Sequence, residues 1–402
     1  MSSFTKKTVK DSDVAGKRVL VRVDFNVPLD GGAVTDDTRI RAALPTIRYL
    51  IDHHARVILC SHLGRPKSSA DTQYSLRPAC RALARLLGRN VTFVDGDVAT
   101  DCHEAAQRMV DGELIMIENL RFHPGEKAND LEFARQLADL AELYVNDAFG
   151  TAHRAHASTA GVAQHLPAVS GLLLAREIEM LTDMLTNPVR PFIAILGGSK
   201  VSEKLGVISR LIQICDAVLI GGGMAFTFLA AKGIEVGGSL VEPNLVADCE
   251  AMLAAAADNG CDILLPIDFV VAAEMSNDAD ATIVGREEIP PDQKGLDIGP
   301  ATEEYFAGTI AQAKTVFWNG PMGVFELTPF QSGTKAIAEA VARNNRAVTV
   351  VGGGDSVAAL KKFNLESGIT FVSTGGGASI CLLEGAALPG LDALDVLPGR
   401  DK

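Results

Sequence analysis

Residues 347–356, Ala-Val-Thr-Val-Val-Gly-Gly-Gly-Asp-Ser, constrain the fold more than any other stretch of the chain. Five mostly β-branched and apolar residues read as a buried strand, three glycines let the backbone turn sharply, and Asp355-Ser356 open a helix. A helix N-terminus behind such a turn offers free N–H donors to phosphate, and a carboxylate at its mouth suits magnesium. The same grammar recurs in Ile-Leu-Gly-Gly-Ser-Lys (195–200), Ile-Gly-Gly-Gly-Met (220–224) and Ser-Thr-Gly-Gly-Gly-Ala-Ser (373–379). A single glycine triplet often ends a strand for steric reasons alone. Four such loops in one half of a chain point to a nucleotide site.

The length of 402 residues predicts two domains. The apolar run Ala217–Ala231 is interrupted by glycines and too short to span a membrane, so it is expected to be a buried strand and helix. The first ten residues lack the apolar core of a secretion signal, and the seven cysteines include no C-x-x-C pair. A cytoplasmic protein with reduced thiols is the expectation, with no membrane partner. The net charge of −13 is uneven: residues 1–180 carry 22 Lys plus Arg against 23 Asp plus Glu, and residues 181–402 carry 15 against 27. Arginine makes up 16 of the 22 basic residues of the first half, and its planar fork matches phosphate and carboxylate. Aromatics are only 5% and there is no basic run, which argues against nucleic acid and for small anions.

Along the first half, apolar runs alternate with helical patterns, and each run ends in polar residues. Residues 18–29 are expected to form a strand carrying Asp24 and Asn26 at its C-terminal end. Arg39 falls in the first turn of a helix opened by Asp36-Asp37, where an ion pair with either acid is the plain alternative. Strand 56–60 runs into His62 and Arg65, with Gly64 between them; strand 114–117 leads to Arg121, and strand 143–145 to His153, Arg154 and His156. Open parallel sheets bind ligands at their carboxyl edge, so four arginines arriving there predict an anion site. Residues 171–186 read as a helix joining the domains, broken by Asn187-Pro188. In the second half, Lys200 and Lys204 are expected on one helical face after the glycines, residues 264–272 as one strand, and Glu326 at the end of a glycine-proline loop, where it caps a helix or holds a ribose hydroxyl.

The chain resembles the phosphoglycerate kinase family, of the bacterial type, over essentially its whole length. The resemblance rests on Val-Arg-Val-Asp-Phe-Asn-Val-Pro, Asp-Asp-Thr-Arg-Ile, Ser-His-Leu-Gly-Arg-Pro, Glu-Asn-Leu-Arg-Phe, Asn-Asp-Ala-Phe-Gly-Thr-Ala-His-Arg-Ala-His, Gly-Gly-Ser-Lys-Val-Ser-Glu-Lys, Phe-Trp-Asn-Gly-Pro-Met-Gly-Val-Phe-Glu and the two triplets at 352–354 and 375–377, all in order. It implies an α/β fold of two Rossmann-like, doubly wound parallel-sheet domains joined by a hinge helix. Residues 1–170 would bind 3-phosphoglycerate or 1,3-bisphosphoglycerate, 171–186 would link, 187–385 would bind ADP or ATP with Mg2+, and 386–402 would return to the first domain. Asp24, Asn26, Arg39, His62, Arg65, Arg121 and Arg154 would hold the glycerate. Lys204, Gly221, Gly222, Gly223, Glu326, Gly352, Gly353, Gly354, Asp355 and Ser356 would hold the nucleotide, with Asp355 on the metal. Arg39, Lys200 and the N–H groups around Gly376 and Gly377 would steady the phosphoryl group in flight. A monomer is expected, closing about its hinge when both ligands bind. Cys381 and Ala386 stand where the family usually carries an acid and a lysine, leaving the local charge unchanged. Two other readings remain at this point: a dinucleotide-dependent oxidoreductase, whose G-x-G-x-x-G turn and following acid none of the triplets reproduces, and a non-catalytic two-domain anion-binding protein, which has no use for Lys200, Lys204 or Asp355.

Overall fold

The structure, a computed structural model, describes residues 4–398. Two compact units divide the chain: the first runs through Glu179 and is joined by the segment from Gly385 onward, and the second is Met180–Glu384.

The first unit is built on strands β1 (Arg18–Arg22), a small hairpin of β2 (Leu29–Asp30) and β3 (Ala33–Val34), then β4 (Arg56–Cys60), β5 (Thr92–Val94), β6 (Leu114–Ile117), β7 (Leu143–Asn146) and β8 (Ala168–Ser170). Apart from the hairpin these make one six-stranded sheet in the order β5-β6-β4-β1-β7-β8, parallel throughout. Helices α1 (Thr38–Asp52), α2 (Arg77–Leu87), α3 (His103–Gln107), α4 (Pro124–Ala128) and α5 (Leu131–Ala138) connect them. The central strands are buried along nearly their whole length, which is why they read as continuous apolar runs rather than alternating ones. Val19, Val21, Val57 and Leu59 pack with Ile40, Ile47 and Leu83 from α1 and α2 in one core.

The expected strand over 18–29 is shorter than its sequence suggests. The ladder stops at Arg22, because its partners Cys60 on β4 and Asn146 on β7 are themselves the last residues of their strands. Asp24 and Asn26 therefore stand on the segment beyond the sheet edge.

Helix α6 (Leu172–Thr186) carries the chain into the second unit. There the main strands are β9 (Phe192–Leu196), β10 (Ala217–Ile220), β11 (Asp262–Leu264), and, after a smaller sheet of β12 (Asp268–Ala272), β13 (Thr282–Gly285) and β14 (Lys294–Ile298), strands β15 (Thr315–Asn319), β16 (Val348–Gly352) and β17 (Phe371–Val372). The main sheet is parallel in the order β11-β10-β9-β15-β16-β17, and the smaller one is antiparallel, β13-β12-β14. Helices α7 (Leu205–Leu211), α8 (Met224–Ala231), α9 (Val246–Asp258), α10 (Pro300–Gln312), α11 (Ser332–Arg343), α12 (Gly354–Lys362) and α13 (Gly377–Glu384) flank them. Beyond them, α14 (Pro389–Asp392) belongs to the first unit. Residues 217–231 are a buried strand followed by a buried helix, as the sequence suggests. Residues 264–272 are not one strand. Leu264 ends β11 in the main sheet, Pro266 removes a ladder donor, and Asp268 begins β12 in the small sheet.

In each unit the chain winds to one side of its first strand and then returns to the other: β1 lies between β4 and β7, β9 between β10 and β15. Such reversals open crevices at the carboxyl edge.

Candidate active site

In the first unit the residues beyond β1, β4, β6 and β7 form a charged cluster around His62, which is only 3% exposed. Arg39 does not pair with Asp36 or Asp37. Its Nη1 donates to Asp24 Oδ2 at 2.5 Å, while Asp37 is taken by Arg41. Asp24 Oδ1 accepts from the Asn26 N–H at 3.2 Å and lies 3.9 Å from His62 Nδ1. Asn26 Oδ1 in turn accepts from the Gly64 N–H at 2.9 Å. Gly64 has φ +59, and a Cβ there would lie 2.3 Å from the Tyr74 ring, so only glycine allows this turn. Its carbonyl accepts from Arg121 Nη1 at 2.5 Å. Arg154 Nε contacts His153 Nε2 at 3.2 Å. Arg65 is exposed on the loop after β4 and makes none of these contacts.

Electrostatics confirm the crowding of cations. Burial, then Arg154 and Arg22, lower the Arg121 guanidinium to about 10, which still leaves it charged at neutral pH. His62 is held well below the ordinary histidine value by burial, followed by Arg22, Arg121, Arg154 and Arg39, so it is a neutral ring among four guanidiniums.

Arg22 was not singled out from the sequence, although it obeys the same strand-end rule as the others; extending β1 to residue 29 hid it. It is fully buried, with Nη2 3.2 Å from His62 Nδ1 and Nε donating to Ser158 Oγ at 2.8 Å, and Nη1 donates to the Val23 carbonyl. Ser158 Oγ donates to the buried Glu126 at 2.7 Å, and His156 Nδ1 stands 3.6 Å from the same carboxylate. Burial pushes the Glu126 carboxyl up, but His156, Arg22 and Ser158 together bring it below the usual value. Nothing in Pro-Gly-Glu-Lys marks Glu126 beforehand, since its role depends on contacts thirty residues away.

In the second unit, β9 and β15 deliver two loops that interlock: the Gly197 N–H donates to the Asn319 carbonyl at 3.1 Å and the Gly198 N–H to the Pro321 carbonyl at 3.0 Å. Lys200 and Lys204 do not share a helix face. Helix α7 begins only at Leu205, Lys200 is exposed, and Lys204 is turned inward by Asn319, whose carbonyl and Oδ1 accept from its Nζ at 2.7 and 2.5 Å. Burial lowers this ammonium to about 8, against the pull of Asp355 and Glu203. Asn319 also donates from Nδ2 to the Gly352 carbonyl at 3.0 Å, tying Lys204 to the first triplet. Sequence reading passed over Asn319, an amide at a strand end like the arginines of the first unit.

A cavity of about 290 Å³ opens beside these loops. Gly222, Gly223, Glu326 and Asp355 line it, with apolar walls from Phe226, Leu240 and Met275. Gly222 has φ +67, and a Cβ there would lie 2.6 Å from the Gly198 carbonyl oxygen. Gly221 packs on Met322 outside the lining, where a Cβ would meet its sulfur at 2.4 Å. Gly353, at φ +93, makes the turn that places Gly354 and Asp355 in the first turn of α12. Ser356 Oγ accepts from the Gly320 N–H at 2.6 Å, so this hydroxyl anchors the β15 loop. Gly376 and Gly377 open α13 at the β17 end of the sheet and do not line the cavity. A wider cavity of about 670 Å³ lies in the first unit near Ser75, Glu118 and His123, and none of Arg39, Arg121 and Arg154 lines it.

One unit thus presents a cationic edge, and the other a glycine-rich pocket lined by Lys294, the carboxylates Asp297, Glu326 and Asp355 and an apolar wall, with Lys204 held by Asn319 outside the lining. The family model of phosphoglycerate kinase matches residues 9–386. Phosphoglycerate kinase of Moorella thermoacetica is 55% identical over 97% of this chain and 99% of its own length, and that of a Roseiflexus species is 54% identical over 98% and 100%. Among solved structures, phosphoglycerate kinase from Coxiella burnetii superposes with a TM-score of 0.88 at 41% identity, covering 96% of this chain and 98% of that one. The enzyme from Pyrococcus horikoshii gives 0.85 at 33% identity over 96% and 98%. The chain belongs to the phosphoglycerate kinase family.

Proposed function

We propose that the first unit holds 3-phosphoglycerate or its acyl phosphate and the second holds ADP or ATP with magnesium, in the reversible transfer of the acyl phosphate of 1,3-bisphosphoglycerate to ADP. The observation that carries this reading is the set of Arg22, Arg39, Arg121 and Arg154 around a neutral His62, with Asp24 and Glu126 as the carboxylates among them. Four guanidiniums against two carboxylates leave an edge that attracts an anion.

In this reading Arg121, Arg154 and Arg65 grip the glycerate phosphate, and Asp24 and Asn26 meet its hydroxyl and carboxyl end. Neutral His62 donates one hydrogen bond without adding a charge. Lys204 leaves Asn319 for the nucleotide phosphates, the N–H groups of Gly352–Gly354 and Ser356 cradle them, Gly221–Gly223 meet the adenine and Glu326 the ribose. Lys200, Arg39 and the N–H groups around Gly376 and Gly377 steady the group in transfer. Transfer of this kind needs positioning and charge neutralisation rather than a covalent nucleophile. Because the reacting oxygens must come within about 3–3.5 Å, closure about α6 on binding both ligands is part of the reading.

Asp355 fits a magnesium site of the kind that shares its ion with phosphate. It is an exposed carboxylate on the cavity wall, and among the described residues no group of three or more acids, histidines or cysteines could cage a metal alone. Magnesium held by one carboxylate, phosphate oxygens and water would neutralise the phosphate charge. We place the enzyme in the cytoplasm as a monomer; among the described residues no helix is long and apolar enough to cross a membrane. The test is ATP formation from ADP and 1,3-bisphosphoglycerate with magnesium. Turnover lost on Arg121→Gln is the expected result, and binding of 3-phosphoglycerate without any ATP formation would favour a non-catalytic anion-binding protein.

A further inference from the structure

Asp147, the first residue beyond β7, is fully buried and is not among the residues that face either ligand. Its Oδ1 accepts from the Leu173 N–H at 2.9 Å and the Leu174 N–H at 3.3 Å, in the first turn of α6. Thr46 of α1 stands beside them: its Oγ1 accepts from the Leu172 N–H at 2.9 Å, and its hydroxyl favours the charged Asp147 carboxylate. The Asp147 N–H donates to the Arg22 carbonyl at 2.9 Å. Gly171 leaves room for the carboxylate, since a Cβ there would lie 2.0 Å from Oδ1. Oδ2 has no hydrogen-bond partner.

We propose that Asp147 is a positioning residue for phosphoryl transfer: its carboxylate clamps the first turn of α6 to α1, the helix that bears Arg39, and to the β7 loop that leads to Arg154. This rests on the substrate reading of the arginine edge. A carboxylate at a helix N-terminus gains from the free N–H groups and the helix dipole, whereas the neutral acid is a weaker acceptor. Burial, with one oxygen unpartnered, pushes this carboxyl up to about 7, against the opposing effect of the Thr46 hydroxyl and of the Leu174 and Leu173 N–H groups. The groups that face it are Thr46 from α1, the Leu173 and Leu174 N–H groups from α6 and the main chain of Arg22 from β1. Of the charged side chains on those elements (Arg18 and Arg22 on β1, Arg39, Arg41, Arg48 and Asp52 on α1, Arg176, Glu177, Glu179 and Asp183 on α6), none is among the causes of its shift. Because the folded value lies above the ordinary one, the proton stays on until about pH 7 and the charged clamp exists only above it.

The experiment compares wild type with Asp147→Asn, which keeps an acceptor oxygen but cannot ionise, by the KM for 3-phosphoglycerate from pH 5.5 to 8.5 with ATP saturating. The ionisation of the substrate phosphate is common to both proteins and cancels in their ratio. The KM ratio, variant over wild type, is expected to be about threefold to tenfold at pH 8.5 and near one at pH 5.5, where wild type is also uncharged. In wild type alone, amide hydrogen exchange corrected for its intrinsic pH dependence should show protection at residues 172–174 rising through about pH 7, which needs no variant to fold. A KM ratio independent of pH, or protection with no step near 7, overturns the clamp. If Arg121→Gln binds 3-phosphoglycerate normally while the exchange step is present, the substrate reading fails and the clamp stands.

Discussion

Lys204 gives the account a quantitative consequence. In the ligand-free protein its ammonium donates to the neutral oxygens of Asn319, and burial lowers it to about 8 against the weaker pull of Asp355 and Glu203. At pH 9 about nine in ten molecules therefore carry it uncharged. Phosphate oxygens beside it favour the charged form, so magnesium ADP must bind with uptake of about 0.9 proton at pH 9 and about 0.1 at pH 7. Recharging the amine costs about 1.4 kcal/mol at pH 9, roughly a tenfold loss of affinity relative to neutral pH. Calorimetric titration in two buffers of different ionisation heat reads both quantities together. Lys204→Arg, whose guanidinium stays charged across this range, should abolish the uptake and flatten the pH dependence. Equal heats in the two buffers at pH 9, in wild type that binds nucleotide, would refute the placement of phosphate beside Lys204.

Other substitutions separate the parts of the second unit. Asp355→Asn should remove the magnesium-dependent share of nucleotide affinity and leave 3-phosphoglycerate affinity intact; near-normal turnover would sink the metal assignment. Gly222→Ala forces a Cβ against the backbone of Gly198 at φ +67. It should cost about 1–3 kcal/mol in urea unfolding and weaken ADP binding, and an unchanged midpoint would contradict the turn's tightness. Cys381 lies one turn into α13, yet burial and then Glu384 push its thiol up, so the helix N-terminus does not activate it. Cys381→Ala should keep full turnover, and modification of wild type by thiol reagents at this site should be slow.

The parts of the site legible in the sequence are those that depend on one strand and the residues directly after it. Arg121 and Arg154 follow short apolar runs whose ends are sharply marked, and Gly353-Gly354-Asp355 follows Val348–Gly352 in the same way. Where the strand end was set by partners rather than by its own residues, reading failed: β1 stops where Cys60 and Asn146 stop, and Arg22 was lost with it. The lysine pair shows a second limit. Spacing of four suggests a helical face, but Asn319, more than a hundred residues away, pulls Lys204 inward and the helix starts after it. Glu126 and Asp147 are invisible for the same reason, since each serves groups supplied by distant elements. The small sheet of β12, β13 and β14 was hidden by reading through Pro266, the one residue that breaks the ladder.

The central claim is that each unit owns one ligand, and the measurement that bears on it most directly is calorimetric titration of 3-phosphoglycerate and of magnesium ADP into Arg121→Gln and Lys204→Met. Losing a charge-assisted contact of about 1.5–3 kcal/mol should weaken the ligand of the mutated unit by roughly tenfold to a hundredfold. The affinity for the other ligand, titrated alone, should stay at the wild-type value. If Arg121→Gln weakens ADP as much as 3-phosphoglycerate, or Lys204→Met weakens 3-phosphoglycerate as much as ADP, the division of labour between the two units is wrong.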